Sequence, residues 1–404
     1  MCKFLNKIII ILSFVFILPA HSQKLNEMYL QAKADMLREQ YAEAGKKILS
    51  IPAGERTSAM YLTLGESYYN SGKYIEAAHF FAVADSVRAN PEAQLYAARA
   101  YAMMLQPPKA TEWLQKYLSQ REKLSEAELT LDSAFEKIEH SKEWKALWNR
   151  EWYNAAERKI AEASVLYKRQ KYTEALGIID VEIANRTSQA RFYALRAKVY
   201  EAMKQYEPAH ESAQTVIRMR NNSAEYFAGA ANMAVNVKKY DAALDNINQA
   251  IRLDPYQLEL YLQRAAILRL GKRHDDARND LNFYFKYLPA DTKALYQMGM
   301  AETDAGNHLA GIGYFTMLID NDKSTPDYFI ARATANIRAN NYALAGDDLA
   351  QALDLNPSLS DAWYKKGIVL QQENKLNDAC YYWRKALEMG NREAAEYIYK
   401  YCNK

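Results

Sequence analysis

From about residue 156 onward, apolar positions follow two periods at once. The short period is helical. Within each unit apolar side chains take places 4, 7, 8 and 11, then 20, 24 and 27, spacings that gather each set on one face of an α-helix. The long period is 34 residues. It carries Tyr172…Ala175, Tyr206…Ala209, Tyr240…Ala243, His274…Ala277, His308…Gly311, Tyr342…Ala345 and Leu376…Ala379 without a slip. The small residues Ala163, Ala197, Ala231, Ala265, Gly299, Ala333 and Gly367 keep the same interval, and Pro255, Pro289 and Pro357 each close a unit. Every unit thus predicts two antiparallel helices. Small residues at places 8 and 20 let the two axes cross closely, and a large one at 24 fills the gap beyond. Proline ends the second helix. A lone pair cannot bury its apolar face, so the units stack.

The unit from Ser360 shows Trp363, Gly367, Leu370, Ala379, Trp383 and Ala386 at places 4, 8, 11, 20, 24 and 27. That from Ser58 shows Tyr61, Gly65, Tyr68, Ala77, Phe81 and Ala84. The pattern resembles the tetratricopeptide repeat (TPR) family. Further units start at Leu25 (Ala32, Tyr41, Ala44, Ile48) and near Pro91 (Ala98, Tyr101, Ala110, Leu114, Tyr117), making about ten in all. The resemblance implies an all-α, right-handed superhelical solenoid of antiparallel helix pairs. The expected organisation is a signal peptide over 1–22, an N-terminal array over 23–121, a non-repeat helical interruption over 122–155, a seven-unit array over 156–393 and a capping helix over 394–404.

The interruption keeps apolar residues at helical spacing (Phe135, Ile138, Trp144, Leu147, Trp148) and holds three of the six tryptophans. An extended or loop stretch is expected at Leu129–Leu131, then one or two short helices, with Trp144 and Trp148 sharing an inward face. The segment reads as a spacer that plugs a gap between units, or as a binding patch.

The first 22 residues stand apart. Lys3 and Lys7 precede an apolar run from Ile8 to Leu18, then Pro19-Ala20-His21-Ser22. This is a secretory leader pattern; a membrane anchor needs about 20 apolar residues. Without Lys3 and Lys7 the formal charge of +3 falls to +1, which with no basic stripe argues against nucleic acid. No other apolar run is long enough to span a bilayer. The expected location is therefore exported, periplasmic or peripheral to the outer membrane.

Candidate chemistry is sparse. His274 and His308 lie 34 apart at place 17, where other units mostly put tyrosine, and read as turn-flanking packing residues. Gly311-Ile312-Gly313 falls inside a helix by phase. No zinc spacing, phosphate loop or nucleophile elbow appears. No enzyme and no cofactor are expected. Arg196, Arg264 and Arg332 occupy place 7 of alternate units. Asp280 and Asp348 follow Arg264 and Arg332 by 16 residues, predicting partly buried structural ion pairs; Arg196, with Ser212 at the matching place, reads as freer.

The resemblance puts places 2, 5, 9, 12 and 13 of each first helix on a concave side suited to a polypeptide. Here they include Arg191, Lys198, Glu201, Asn232, Asn236, Arg269, Tyr296, Thr303, Arg338 and Tyr364. The carboxylate clamp of some family members is not carried over, because its lysines and asparagines are out of phase here. The expected function is a non-catalytic scaffold or adaptor of the bacterial envelope with a protein partner, possible association with an envelope or secretion assembly being by analogy. A second reading is an envelope glycan or cell-wall ligand module; a third is an enzyme centred on the interruption. Finally, Cys380 sits beside core place 20 and Cys402 on the capping helix packed against it. They are the only cysteines left once the leader is removed, and in an oxidising compartment they predict a disulfide.

Overall fold

The computed structural model describes residues 20–185 and 189–402. The leader expected at 1–22 lies outside the described residues as far as 19; residues 20–22 form the first turn of α1. Among the described residues the chain is helical throughout, with no strand, and no helix is long and apolar enough to cross a membrane. The chain divides into two compact units, 1–152 and 153–404.

The first unit holds α1 (Ala20–Leu37), α2 (Tyr41–Ser50), α3 (Ser58–Asn70), α4 (Tyr74–Val87), α5 (Pro91–Met103), α6 (Pro107–Leu118), α7 (Glu126–Thr130) and α8 (Lys142–Trp148). The second holds α9 (Ala155–Lys168), α10 (Tyr172–Ala184), α11 (Ala190–Ala202), α12 (Tyr206–Met219), α13 (Ala224–Asn236), α14 (Tyr240–Leu253), α15 (Leu258–Leu270) and α16 (His274–Phe285). It continues with α17 (Thr292–Asp304), α18 (His308–Asn321), α19 (Pro326–Arg338), α20 (Tyr342–Leu355), α21 (Ser360–Gln372), α22 (Leu376–Glu388) and α23 (Ala394–Tyr401). Within each unit, successive helices pack as pairs and each pair packs on the next. This is the solenoid architecture that the repeat predicts.

Each pair is locked where place 8 of its first helix meets place 24 of its second. In all pairs but one the two residues match in size; α11 and α12 instead bring Ala197 and Ala213 together. A Cβ added to Gly65, Gly299 or Gly367 would come within 2.5, 2.7 and 2.4 Å of Phe81, Phe315 and Trp383 respectively. Where place 8 is alanine, place 24 is mostly aliphatic: Ala32 with Ile48, Ala98 with Leu114, Ala163 with Ile179, Ala231 with Ile247, Ala265 with Leu281 and Ala333 with Leu349, all at most 1% exposed. Interiors packed to crystal density tolerate neither the extra methyl nor the missing one.

The turn inside each pair is set by backbone conformation. Glu39, Gly72, Leu105, Gln170, Lys204, Lys238, Lys272, Gly306, Asn340 and Asn374 all have positive φ. The following N–H returns to a carbonyl five residues back, as from Gln106 to Tyr101 (3.0 Å) and Lys239 to Ala234 (2.9 Å), a Schellman closure of the first helix. Most of these residues are not glycine and hold a strained conformation.

The arginine pairs cross between helices. Arg264 donates to both carboxylate oxygens of Asp280 (2.6 and 2.7 Å) and to Asn248 of the preceding pair (2.8 Å). Arg332 likewise reaches Asp348 (2.7 Å) and Thr316 (3.1 Å). Both aspartates are buried, so removing either arginine would strand a buried charge. Arg196, expected to be freer, is not: its Nε lies 3.0 Å from Asp180. Its partner stands 16 residues upstream, on the preceding pair, rather than downstream.

The interruption belongs to the first unit as far as Trp152, and Ala155 already opens α9 of the second. Leu129 and Thr130, expected in an extended or loop stretch, end α7 instead, with Leu131 at its C-terminal boundary; Ser125 and Glu128 close a reciprocal N-terminal cap on that helix. Leu129, Phe135, Ile138, Trp144 and Leu147 are buried. Trp144 packs 5.2 Å from Phe135 and 5.6 Å from Trp148, Trp148 being only half-buried. The segment covers the exposed end of α5 and α6. At the other terminus α23 covers α22, with Tyr397 and Tyr401 at 5.0 and 5.7 Å from Trp383. Gly390, at φ 94°, turns the chain into it. Cys380 and Cys402 are bridged, their Cα atoms 5.7 Å apart.

Leu105 is 61% exposed at φ 55°, so its side chain contributes little packing against the conformational strain. Leu105→Gly is expected to stabilise the protein by up to about 1 kcal/mol, the left-handed penalty less glycine's extra entropy. Thermal or denaturant unfolding measures it; a clear loss of stability would contradict the reading of this turn.

Candidate functional site

In the second unit the first helices of successive pairs meet along one side: α11 packs against α13, α15 against α17, α17 against α19 and α19 against α21, and α15 reaches α13 through hydrogen bonds of Gln263. Most residues expected to line the groove lie here, and several engage one another. Asn236 donates to Glu201 (3.0 Å), and Gln263 donates to Asn232 (2.7 Å) and to the Ala228 carbonyl (2.9 Å). Arg269 and Arg338 donate to the two oxygens of Asp304, at 2.6 and 2.7 Å. Burial works to raise the Asp304 carboxyl pKa, but the two arginine hydrogen bonds outweigh it and hold it below the ordinary range. One carboxylate thus serves two guanidiniums, and the rung keeps a surplus positive charge, mostly on the exposed Arg338.

Tyr296 stands edge-on to Phe315 (5.7 Å), and Tyr364 edge-on to Tyr397 (5.4 Å). Lys198 is exposed and Arg191 half-buried. Thr303 does not line the groove: it is 3% exposed and its hydroxyl donates to the Gly299 carbonyl (2.8 Å). The space it fills exists because Gly311 has no Cβ; an added one would sit 2.1 Å from the Thr303 hydroxyl. His274 and His308 open α16 and α18, half-buried, each with a buried Nδ1 that has no hydrogen-bond partner among the described residues.

Of the side chains between these rungs, sequence singled out only Tyr296 and Tyr364. At place 5 stand Leu262, Tyr296, Ile330 and Tyr364; at place 9 stand Ala266, Met300, Thr334 and Ile368. All are half-buried. The two preceding units have Ala194 and Ala228 at place 5, with Lys198 and Asn232 at place 9. The face therefore changes from small and polar to apolar at α15. A tally of one place across units would have found this.

The first unit carries a charge ladder on the corresponding face that sequence reasoning missed. Lys33, Glu66 and Arg99 occupy the same place of α1, α3 and α5, 33 residues apart, and Asp132 of the interruption continues the series. Arg99 is spent on Asp132 (2.7 Å) and lies over Tyr96 (5.0 Å). Tyr69 stands edge-on to Tyr96 (5.8 Å). Burial raises the Glu66 carboxyl to about 7, against the opposing pull of Lys33 and with Glu92 adding to the rise. Burial likewise lifts Tyr69 to about 12.

Among solved structures, the chain is similar to a tetratricopeptide repeat protein from Parabacteroides merdae, at 15% identity over 60% of this chain and 97% of that one, with a TM-score of 0.55. Yeast Tom70 matches at 13% identity over 94% and 96% (TM-score 0.40). YrrB, described as a TPR protein with an unusual peptide-binding site, matches at 14% over 47% and 99% (TM-score 0.34). No family model matches the sequence, and no curated protein matches it. At such identities the likeness is one of fold, and that fold is the tetratricopeptide-repeat solenoid.

A carboxyl whose folded pKa lies above its unfolded value favours the folded state at low pH. Stability is full below about 4.5 and lost as pH rises to about 7. Glu66→Gln is therefore expected to leave stability unchanged at pH 4 and raise it by up to about 3 kcal/mol at pH 8. The difference between the two proteins' melting curves across that range measures it; a pH-independent difference would contradict the assignment.

Proposed function

We propose that the protein is a non-catalytic scaffold of the bacterial cell envelope that holds a polypeptide partner against the face lined by α15, α17, α19 and α21. The observation that carries this reading is the strip of half-buried Leu262, Tyr296, Met300, Ile330, Tyr364 and Ile368, flanked by the Arg269–Asp304–Arg338 rung. Apolar side chains left half in water on a rigid face gain by being covered. Fixed polar groups beside them set the register of whatever covers them. An extended segment or a helix with apolar anchors and an acidic residue near Arg338 meets both demands. Function here rests on the site, since the fold hosts many.

The envelope assignment draws on the leader pattern of the first 22 residues and on the Cys380–Cys402 bridge, a bond that persists in oxidising compartments. Immobilised protein incubated with envelope extract is expected to retain a protein, and Met300→Glu with Ile330→Glu to lose it while circular dichroism stays unchanged. Recovery of only sugars or cell-wall fragments, or an unchanged protein set on the double variant, would overturn the reading.

A further inference from the structure

The apolar strip runs into a cleft of about 280 Å³ between α21 and α23, lined by Tyr364, Glu393, Glu396, Tyr397, Lys400 and Tyr401. Tyr364 is a groove-facing place 5 residue, so the cleft opens at the end of the strip. Its walls are aromatic. Tyr364 and Tyr397 meet edge-on, and Tyr397 and Tyr401 lie 6.1 Å apart. Its charge is negative in balance. Lys400 lies with its Nζ 5.0 Å from the centre of the Tyr401 ring. Glu393 and Glu396 stand one helical turn apart, both exposed. Among the described residues neither carboxylate receives a hydrogen bond from a side chain.

We infer that this cleft takes a basic side chain, lysine or arginine, of the polypeptide held along the apolar strip, and that the disulfide holds the cleft's α23 wall in place. The inference rests on the scaffold reading above and names the partner chemistry at one end of it. The aliphatic stem of a long basic residue lies along tyrosine rings, its cationic head over their faces and against the two carboxylates. A neutral residue of the same length satisfies only the first contact. The wall that carries five of the six lining residues is α23 and its entry. Only Ala394 of that helix is fully buried, and its C-terminal end is tied down by Cys402 to Cys380 of α22. Reduction therefore frees the wall while leaving the pairs below it folded.

Saturation-transfer NMR with Nα-acetyl-lysine amide on the full oxidised chain tests this, with Nα-acetyl-norleucine amide and an N-acetylglucosamine disaccharide as comparisons. Saturable binding of the lysine amide and none of the norleucine amide is expected. Affinity should fall at least tenfold in Glu393→Gln/Glu396→Gln, whose exposed side chains leave the fold intact, and at least fivefold after reduction that releases two thiols. Equal signals from lysine and norleucine, no lysine signal, or a disaccharide signal lost in the double variant would overturn the cleft assignment. So would lysine binding that survives reduction unchanged. A partner retained from extract but lost on Met300→Glu and Ile330→Glu, together with no lysine signal, would refute the cleft and leave the scaffold standing.

Discussion

The contact between place 8 of one helix and place 24 of the next is the constraint on which the rest depends. In nine of the ten pairs the residues at the crossing share about one volume, the exception being α11 and α12, which cross with Ala197 and Ala213. Glycine admits Phe81, Phe315 or Trp383; alanine admits leucine or isoleucine. The trade is one methyl against the difference between an aliphatic and an aromatic ring. A Cβ at 2.4 Å from an indole is far inside van der Waals contact, and relief by shifting the backbone would move the whole pair.

Function follows from that register. With the crossing fixed, the first helices present the same places to the same side, and neighbouring units can share rungs about one period apart. Asn236 reaches Glu201, and Arg269 and Arg338 converge on Asp304. These bonds pair polar side chains of the face with one another and leave its apolar residues half-buried. The left-handed turn residues complete the geometry by closing each first helix within the same number of residues. The chain holds strain at these turns, and the packing of each pair over-determines them.

Much of this is legible in the sequence, because a tertiary constraint that recurs at a fixed interval writes itself into the residue pattern. The pairs, the crossing residues, the two arginine–aspartate pairings and the bridged cysteines all follow from phase. What escapes it is whatever does not recur as one residue type. The ladder Lys33, Glu66, Arg99, Asp132 keeps the 33-residue interval of the first unit's pairs, but its charge alternates from rung to rung, so no residue repeats to mark it. Arg196 pairs backward with Asp180 because Ser212 offers no charge forward. Thr303 turns inward because Gly311 vacates a side-chain volume, an exchange between two places that single-position reading treats separately. Leu129–Leu131, expected as an extended or loop stretch, is helical as far as Thr130, and the capping residues Ser125 and Glu128 already marked that helix start. The cleft at α23 was hidden because its tyrosines serve both as cap and as wall.

The size pairing at the crossing is tested most directly by a double-mutant cycle on Gly299 and Phe315, whose neighbouring pair already has Ala265 and Leu281. Gly299→Ala alone should cost about 1–3 kcal/mol by overpacking, and Phe315→Leu alone a similar amount through the space it leaves. Together they recreate the neighbouring solution. The double variant should then be more stable than the sum of the two losses allows by at least about 1 kcal/mol. Additive losses would contradict the claim that volume at this crossing sets the fold.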